Sequence, residues 1–97
     1  MENSEFVNNQ SQNQFELHKD RHVAFLEYIL QNDKIYLTHT EAPQALRGTG
    51  AAASLVKQAL EYSREHGLTV VPQCSYVAKF ISKNDKYSDV LSDGYQM

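Results

Sequence analysis

The chain has one cysteine, Cys74, so it can form no internal disulfide and supplies no cysteine cluster for zinc. It lacks any run near the roughly 20 apolar residues that span a bilayer. Its first residues, MENSEFVNNQSQNQ, lack the basic and apolar regions of a signal peptide. These absences predict a cytoplasmic protein without membrane contact. Positive charge is also scarce: nine Lys and Arg face twelve Asp and Glu, for a net charge of −3. The basic residues are scattered, so no stripe of the kind that nucleic acid requires is formed. Any anionic ligand must be held locally. No internal repeat or low-complexity tract is present, and 97 residues make one domain.

What is there falls into two parts. Residues 1–13 are rich in Asn, Gln, Ser and Glu, with Phe6 and Val7 as their only bulky apolar side chains, and predict a flexible tail. Residues 14–97 form the domain. QFELHK, HVAFLEYIL and KIYLTHTEA read as three strands, separated by KDR and by a tight turn at Asn32-Asp33, in an antiparallel meander. Ala52, Leu55, Val56, Ala59 and Leu60 then mark an amphipathic helix from about residue 49 or 50 to 66, closed by Gly67. LTVVPQ is a short apolar strand of the kind expected inside a sheet, ended by Pro72. Tyr76, Val77, Phe80 and Ile81 suggest a second helix, and DKYSDVL a final turn. The expected class is α+β, mostly antiparallel, in the order β-β-β-α-β-α.

The segment ALRGTGAAAS, residues 45–54, raises the functional question. Its plain reading is helix initiation, with Thr49 as cap and alanines propagating. Gly48, Gly50 and Ala53 formally satisfy a dinucleotide fingerprint, but the antiparallel context and the lack of an acidic residue after the next strand exclude it. A Walker loop fails because no Lys-Ser or Lys-Thr follows. A third reading is a pyrophosphate cradle. Unpaired N–H groups at a helix start carry partial positive charge, glycines admit a close approach, and Arg47 adds a planar fork.

Arg-x-x-Gly-x-Ala, here Arg47 to Ala52, resembles the acyl-CoA motif of the GNAT superfamily of N-acetyltransferases. THTEA, the segment from LRGTG to VAKFI, and KNDKYSDVL together resemble its small stand-alone members, over about residues 14–91. One departure is KNDKY, around Lys83 and Asn84, where that group has a basic-His-Pro-acidic-Tyr run. The resemblance implies a minimal acyl-CoA N-acyltransferase fold and acetyl-CoA as cofactor. Arg47, Gly48, Thr49, Gly50, Ala51 and Ala52 would cradle the pyrophosphate, and the backbone of Thr40, Glu41 and Ala42 would pair with the pantetheine arm. It also implies that Cys74 faces the acetyl group.

Cys74 and His39 are the candidate catalytic residues. Cys74 lies between a strand end and a helix start, where a thiolate is favoured, although a lone cysteine is commonly an inert core residue. His39 shares a face with Ile35 and Leu37 if its strand is regular, and there it is either a core residue or a proton carrier. Glu41 is a second proton acceptor or a solvated carboxylate. Tyr76, Phe80 and Tyr87 could stack on adenine, and Lys79 and Lys83 could meet a phosphate, or all could serve the core and surface. His18 and His22 share a strand face without a third ligand, so no metal is expected. The reaction expected is direct transfer to an amine, or transfer through an acetylated Cys74; the alternative is a non-catalytic CoA-binding or interaction module. A short chain leaves little protein for a deep acceptor pocket. That favours a large or exposed acceptor, or a partner that completes the site; a monomer or weak dimer is expected.

Overall fold

The computed structural model describes residues 4–91, and the C-terminal part of the expected domain, 92–97, lies outside them. Five strands form one sheet in sequential order: β1 (Ser4–Asn9), β2 (Gln14–Lys19), β3 (His22–Gln31), β4 (Lys34–Glu41) and β5 (Thr69–Pro72). The first four run antiparallel, and β4 and β5 are parallel. Parallel neighbours need a crossover, supplied here by α1 (Ala51–Glu65). After β5 come α2 (Ser75–Lys83) and a 3-10 segment, Asp85–Val90. The α+β class stands, with one more strand than the sequence order predicts.

That strand corrects the expected tail. Ser4–Asn9 pairs with β2 along its whole length. Two apolar residues suffice because the segment is an edge strand with a single packed face: Phe6 stacks on Phe15 at 5.5 Å between ring centroids. Carboxamides do the rest. Asn8 accepts from the Tyr28 hydroxyl at 2.8 Å and donates to that of Tyr62 at 3.1 Å, while Asn9 donates to Glu16 at 2.9 Å. A polar composition therefore conceals a strand whose side chains are partners rather than solvated chain.

Alternation along the strands fixes two unlike faces. Phe15 and Leu17, Ala24, Leu26 and Tyr28, Ile35 and Leu37, and Val70 point to one side and are buried there. Leu55, Val56, Ala59 and Leu60 of α1 close over them, and Val77 and Ile81 of α2 complete the same core. Gly67 takes the left-handed conformation, φ 67°, that ends α1. β5 is the outermost strand rather than an inner one; its apolar character reflects cover by the helices and a bridge from Val70 to Leu91 on its outer side. Tyr87 is core, 1% exposed, with its hydroxyl donating to Glu61 at 2.9 Å, and it offers no face to a ligand. His18 and His22 do not share a face, because the turn at Asp20 and Arg21 separates them and their partners are Val23 and Lys19.

Candidate functional site

The site lies where the two parallel strands part. Their ladder runs from Lys34–Thr69 to Leu37–Pro72 and stops, whereas β4 continues to Glu41 paired with β3 alone. Proline ends β5, and the chain turns away: Gln73 donates to Val71 O at 3.0 Å and Cys74 N to Leu37 O at 2.9 Å. Among the described residues, one backbone edge of Thr38–Glu41 therefore faces no strand. Both α1 and α2 begin at this end, following the carboxyl ends of β4 and β5, the end of an open α/β arrangement where ligands collect.

A β-bulge decides which side chains meet there. Tyr28 pairs with Leu37 and Glu27 with His39, so Thr38 is an extra residue in β4, and its hydroxyl donates to Glu27 O at 3.2 Å. Beyond the bulge Thr40 lies opposite the buried Leu26, on the inner side. His39 lies opposite Glu27, on the outer side, with 54% of its side chain exposed. The regular-strand expectation that His39 joins Ile35 and Leu37 is thus reversed by one residue. His39 Nε2 is 3.4 Å from Glu41 Oε2, and its ring is 6.2 Å from that of Phe25.

Thr40 takes the place expected for His39. Its Oγ1 is 3.4 Å from the Sγ of half-buried Cys74. Cys74 is the residue before α2, in extended conformation, and its carbonyl accepts from Ala78 N at 3.0 Å. Burial pushes its thiol up, but the Thr40 side chain and the backbone N–H groups of Val77, Tyr76 and Thr40 together hold it below its ordinary value. Cys74 and His39 flank the open edge from opposite faces and form no dyad.

The loop after β4 makes a 3-10 turn, Gln44–Leu46, that buries Leu46, and then the Arg47–Gly50 turn. Gly48 and Gly50 have φ of 81° and 82°, and a Cβ placed on either would meet nothing within 4 Å. Glycine is required here by conformation, and the space in front of it is open. The Thr49 hydroxyl donates to Leu46 O and accepts from Ala51 N at 3.3 Å. Ser54 N to Gly50 O, at 2.9 Å, is the first bond of the helix. Helix geometry leaves the N–H groups of Ala52 and Ala53 without intrahelical acceptors. The Ala51 side chain is 2% exposed and packs in the core. Arg47 is exposed, and among the described residues no ion pair engages its guanidinium.

The turn fits a pyrophosphate, having open glycines, free helix-start amides and a cationic fork. Tyr76 is 41% exposed on α2 and, with Lys79, Phe80, Lys83 and Asn84, lines a groove of about 170 Å³. Sequence reasoning missed the bulge at Thr38 and the Thr40 hydroxyl at the thiol, because the alternation of Ile35, Leu37 and His39 carries no sign of an inserted residue.

A family model described as GCN5-related N-acetyl-transferase matches residues 14–90. Protein NATD1 of Bos taurus is 40% identical over 65 residues, and Protein NATD1 of Homo sapiens 38% identical over 65 residues. Each match takes in 67% of this chain and 57% of the relative, so the chain spans little more than half the length of these curated proteins. The solution structure of a GCN5-like protein from Staphylococcus aureus superposes with a TM-score of 0.68 at 28% identity, covering 99% of this chain and 94% of that one. Among the described residues no helix is long and apolar enough to cross a membrane.

Proposed function

Because the chain belongs to the GCN5-related N-acetyltransferase family, we propose that it transfers an acetyl group from acetyl-CoA to an amine at the open edge of β4. The observation that carries this reading is the parting of β4 from β5, which exposes a backbone edge beside a thiol and beneath two helix starts. Acetyl-CoA, when bound, supplies a thioester whose acetyl carbon accepts the amine. Arg47, with the amides of the Gly48–Ala52 turn, would hold the pyrophosphate, and the free edge of Thr40, Glu41 and Ala42 would hydrogen-bond the amide groups of the pantetheine arm. Tyr76 would lie against the adenine end.

The residues divide the proton work by face. His39, outside and next to Glu41, accepts the proton that the attacking amine must lose. Cys74, inside, sits among N–H donors and the Thr40 hydroxyl, where negative charge is stabilised. That same setting supports a second reading, in which the Cys74 thiolate attacks first and takes the acetyl group as a thioester while the CoA thiolate leaves, and the amine then takes the acetyl group and releases the Cys74 thiolate.

Amide NMR titration tests the first step: acetyl-CoA is expected to move Arg47 through Ala52, Thr40 and Cys74, and NAD to move none of them. No shifts with millimolar acetyl-CoA would remove the cofactor reading and leave the glycines to the turn. Mixing with labelled acetyl-CoA in the absence of an amine then separates the two routes, since only the covalent one leaves label on Cys74. Binding without transfer to any amine or peptide would point to a non-catalytic CoA-binding module.

A further inference from the structure

Both helices lie on one side of the sheet, and the strand register defines what the other side carries. Glu5, Glu16, Glu27 and Glu41 all alternate outward, around Phe25 and Ile29. Lys34 is the single lysine or arginine that the described strands place there, at the end of β4 remote from His39. Two cross-strand rows lead to the transfer edge. Glu16 pairs with Phe25 and Phe25 with Glu41; Gln14 pairs with Glu27 and Glu27 with His39. The acidic rows thus end beside the proton acceptor, at the rim of the open edge. Ile29 is 57% exposed and Phe25 half-buried, and among the described residues no helix covers either.

We infer that this bare face docks the acceptor, and that the acceptor is a basic polypeptide segment presenting lysine; the inference rests on the acetyl-transfer reading of the β4 edge. Charge complementarity selects the sign of the partner. Glu16 is buried with its oxygens held by Asn9, Gln14 and His18, but the three exposed carboxylates, Glu5, Glu27 and Glu41, against one lysine attract ammonium groups and repel a second copy of this chain, whose net charge is −3. The apolar residues select its form. Lysine stems are long hydrocarbons that can lie along Phe25 and Ile29 while their ends reach the glutamates, and an extended segment crosses several strands, each about 4.8 Å from the next. One lysine at the end of such a segment would arrive beside His39 and Glu41.

The test is amide NMR on the whole chain, titrated separately with a lysine-rich peptide, with a glutamate-rich peptide carrying one lysine, with spermine and with acetyl-CoA. The lysine-rich peptide is expected to move Val7, Phe25, Glu27 and His39, more weakly as salt rises. Exchanging both Glu5→Lys and Glu27→Lys is expected to weaken that binding by about tenfold or more while the acetyl-CoA shifts at Arg47–Ala52 stay unchanged. Acetyl-CoA binding without these peptide shifts would overturn the docking surface and leave the transfer reading standing. Peptide binding without acetyl-CoA binding would refute transfer, and with it the acceptor role. Equal binding of the glutamate-rich peptide, spermine binding as tightly as the peptide, or self-association through this face would also overturn the proposal.

Discussion

Cys74 carries two opposed influences in one side chain. Burial opposes its ionisation, and a hydroxyl with three backbone N–H groups favours it. Removing the hydroxyl while keeping the shape, Thr40→Val, should move the pH midpoint of thiol alkylation upward and slow alkylation at neutral pH, whereas His39→Ala, on the other face, should leave the midpoint where it is. Equal midpoints in the wild type and Thr40→Val would remove Thr40 from the site. Glu16 has a comparable position in the stability of the sheet. Hydrogen bonds from Asn9, Gln14 and His18 hold its carboxyl below the usual value of about 4.3. A lowered folded value means that its contribution is complete above that pH and is lost as pH falls through the folded value. Urea midpoints measured from pH 6 downward, roughly across the carboxylate range, should therefore fall more steeply in wild type than in Glu16→Gln. At this scale the sequence announced Cys74, because a cysteine after a proline-ended strand and before a helical pattern has few places to be. It did not announce that Thr40 would be the neighbour, since one inserted residue exchanges the faces of everything after it.

Elements were more legible than contacts. The period of α1, the apolar run of β5 and the glycine that ends α1 all follow from side-chain spacing and backbone freedom, and each element lies where expected along the chain, although β5 lies at the edge of the sheet rather than inside it. β1 escaped notice because an edge strand sealed by Asn8 and Asn9 looks like soluble tail when hydrogen bonds between side chains cannot be seen. The glycine turn offers an internal control. Gly50 and Gly67 both need φ above zero, 82° and 67°, and both face open space, but only Gly50 starts a helix. Replacing either by Ala should cost about 1–2 kcal/mol of stability through left-handed strain alone. Only Gly50→Ala should also weaken acetyl-CoA binding, by tenfold or more, about 1.4 kcal/mol beyond any loss of folding. Calorimetry on both variants, with thermal melts alongside, separates strain from obstruction; matched affinities would return Gly50 to a purely conformational duty.

Across the described residues, one layer of helices covers one face of a five-stranded sheet, and composition alone gave no sign that they would leave the second face uncovered. The C-terminal segment is fastened to the helix layer instead: Arg64 meets both carboxylate oxygens of Asp89, at 2.6 and 3.2 Å, and Lys86 O at 2.6 Å. The resemblance over about residues 14–91 followed from the order of motifs; the sidedness of the sheet depends on registers that only pairing reveals. Thr38 gives this a genetic form. In the ladder Leu37 faces Tyr28 and His39 faces Glu27, so the register already treats those two residues as neighbours. Loss of a single codon, that of Thr38, would leave His39 outside and Thr40 at the thiol while removing one peptide group from the transfer edge. Such a deletion is expected to fold with an unchanged Cys74 alkylation midpoint and a lowered acetyl-transfer rate. A strand that can lose a residue without turning its side chains over has a length that packing alone does not fix.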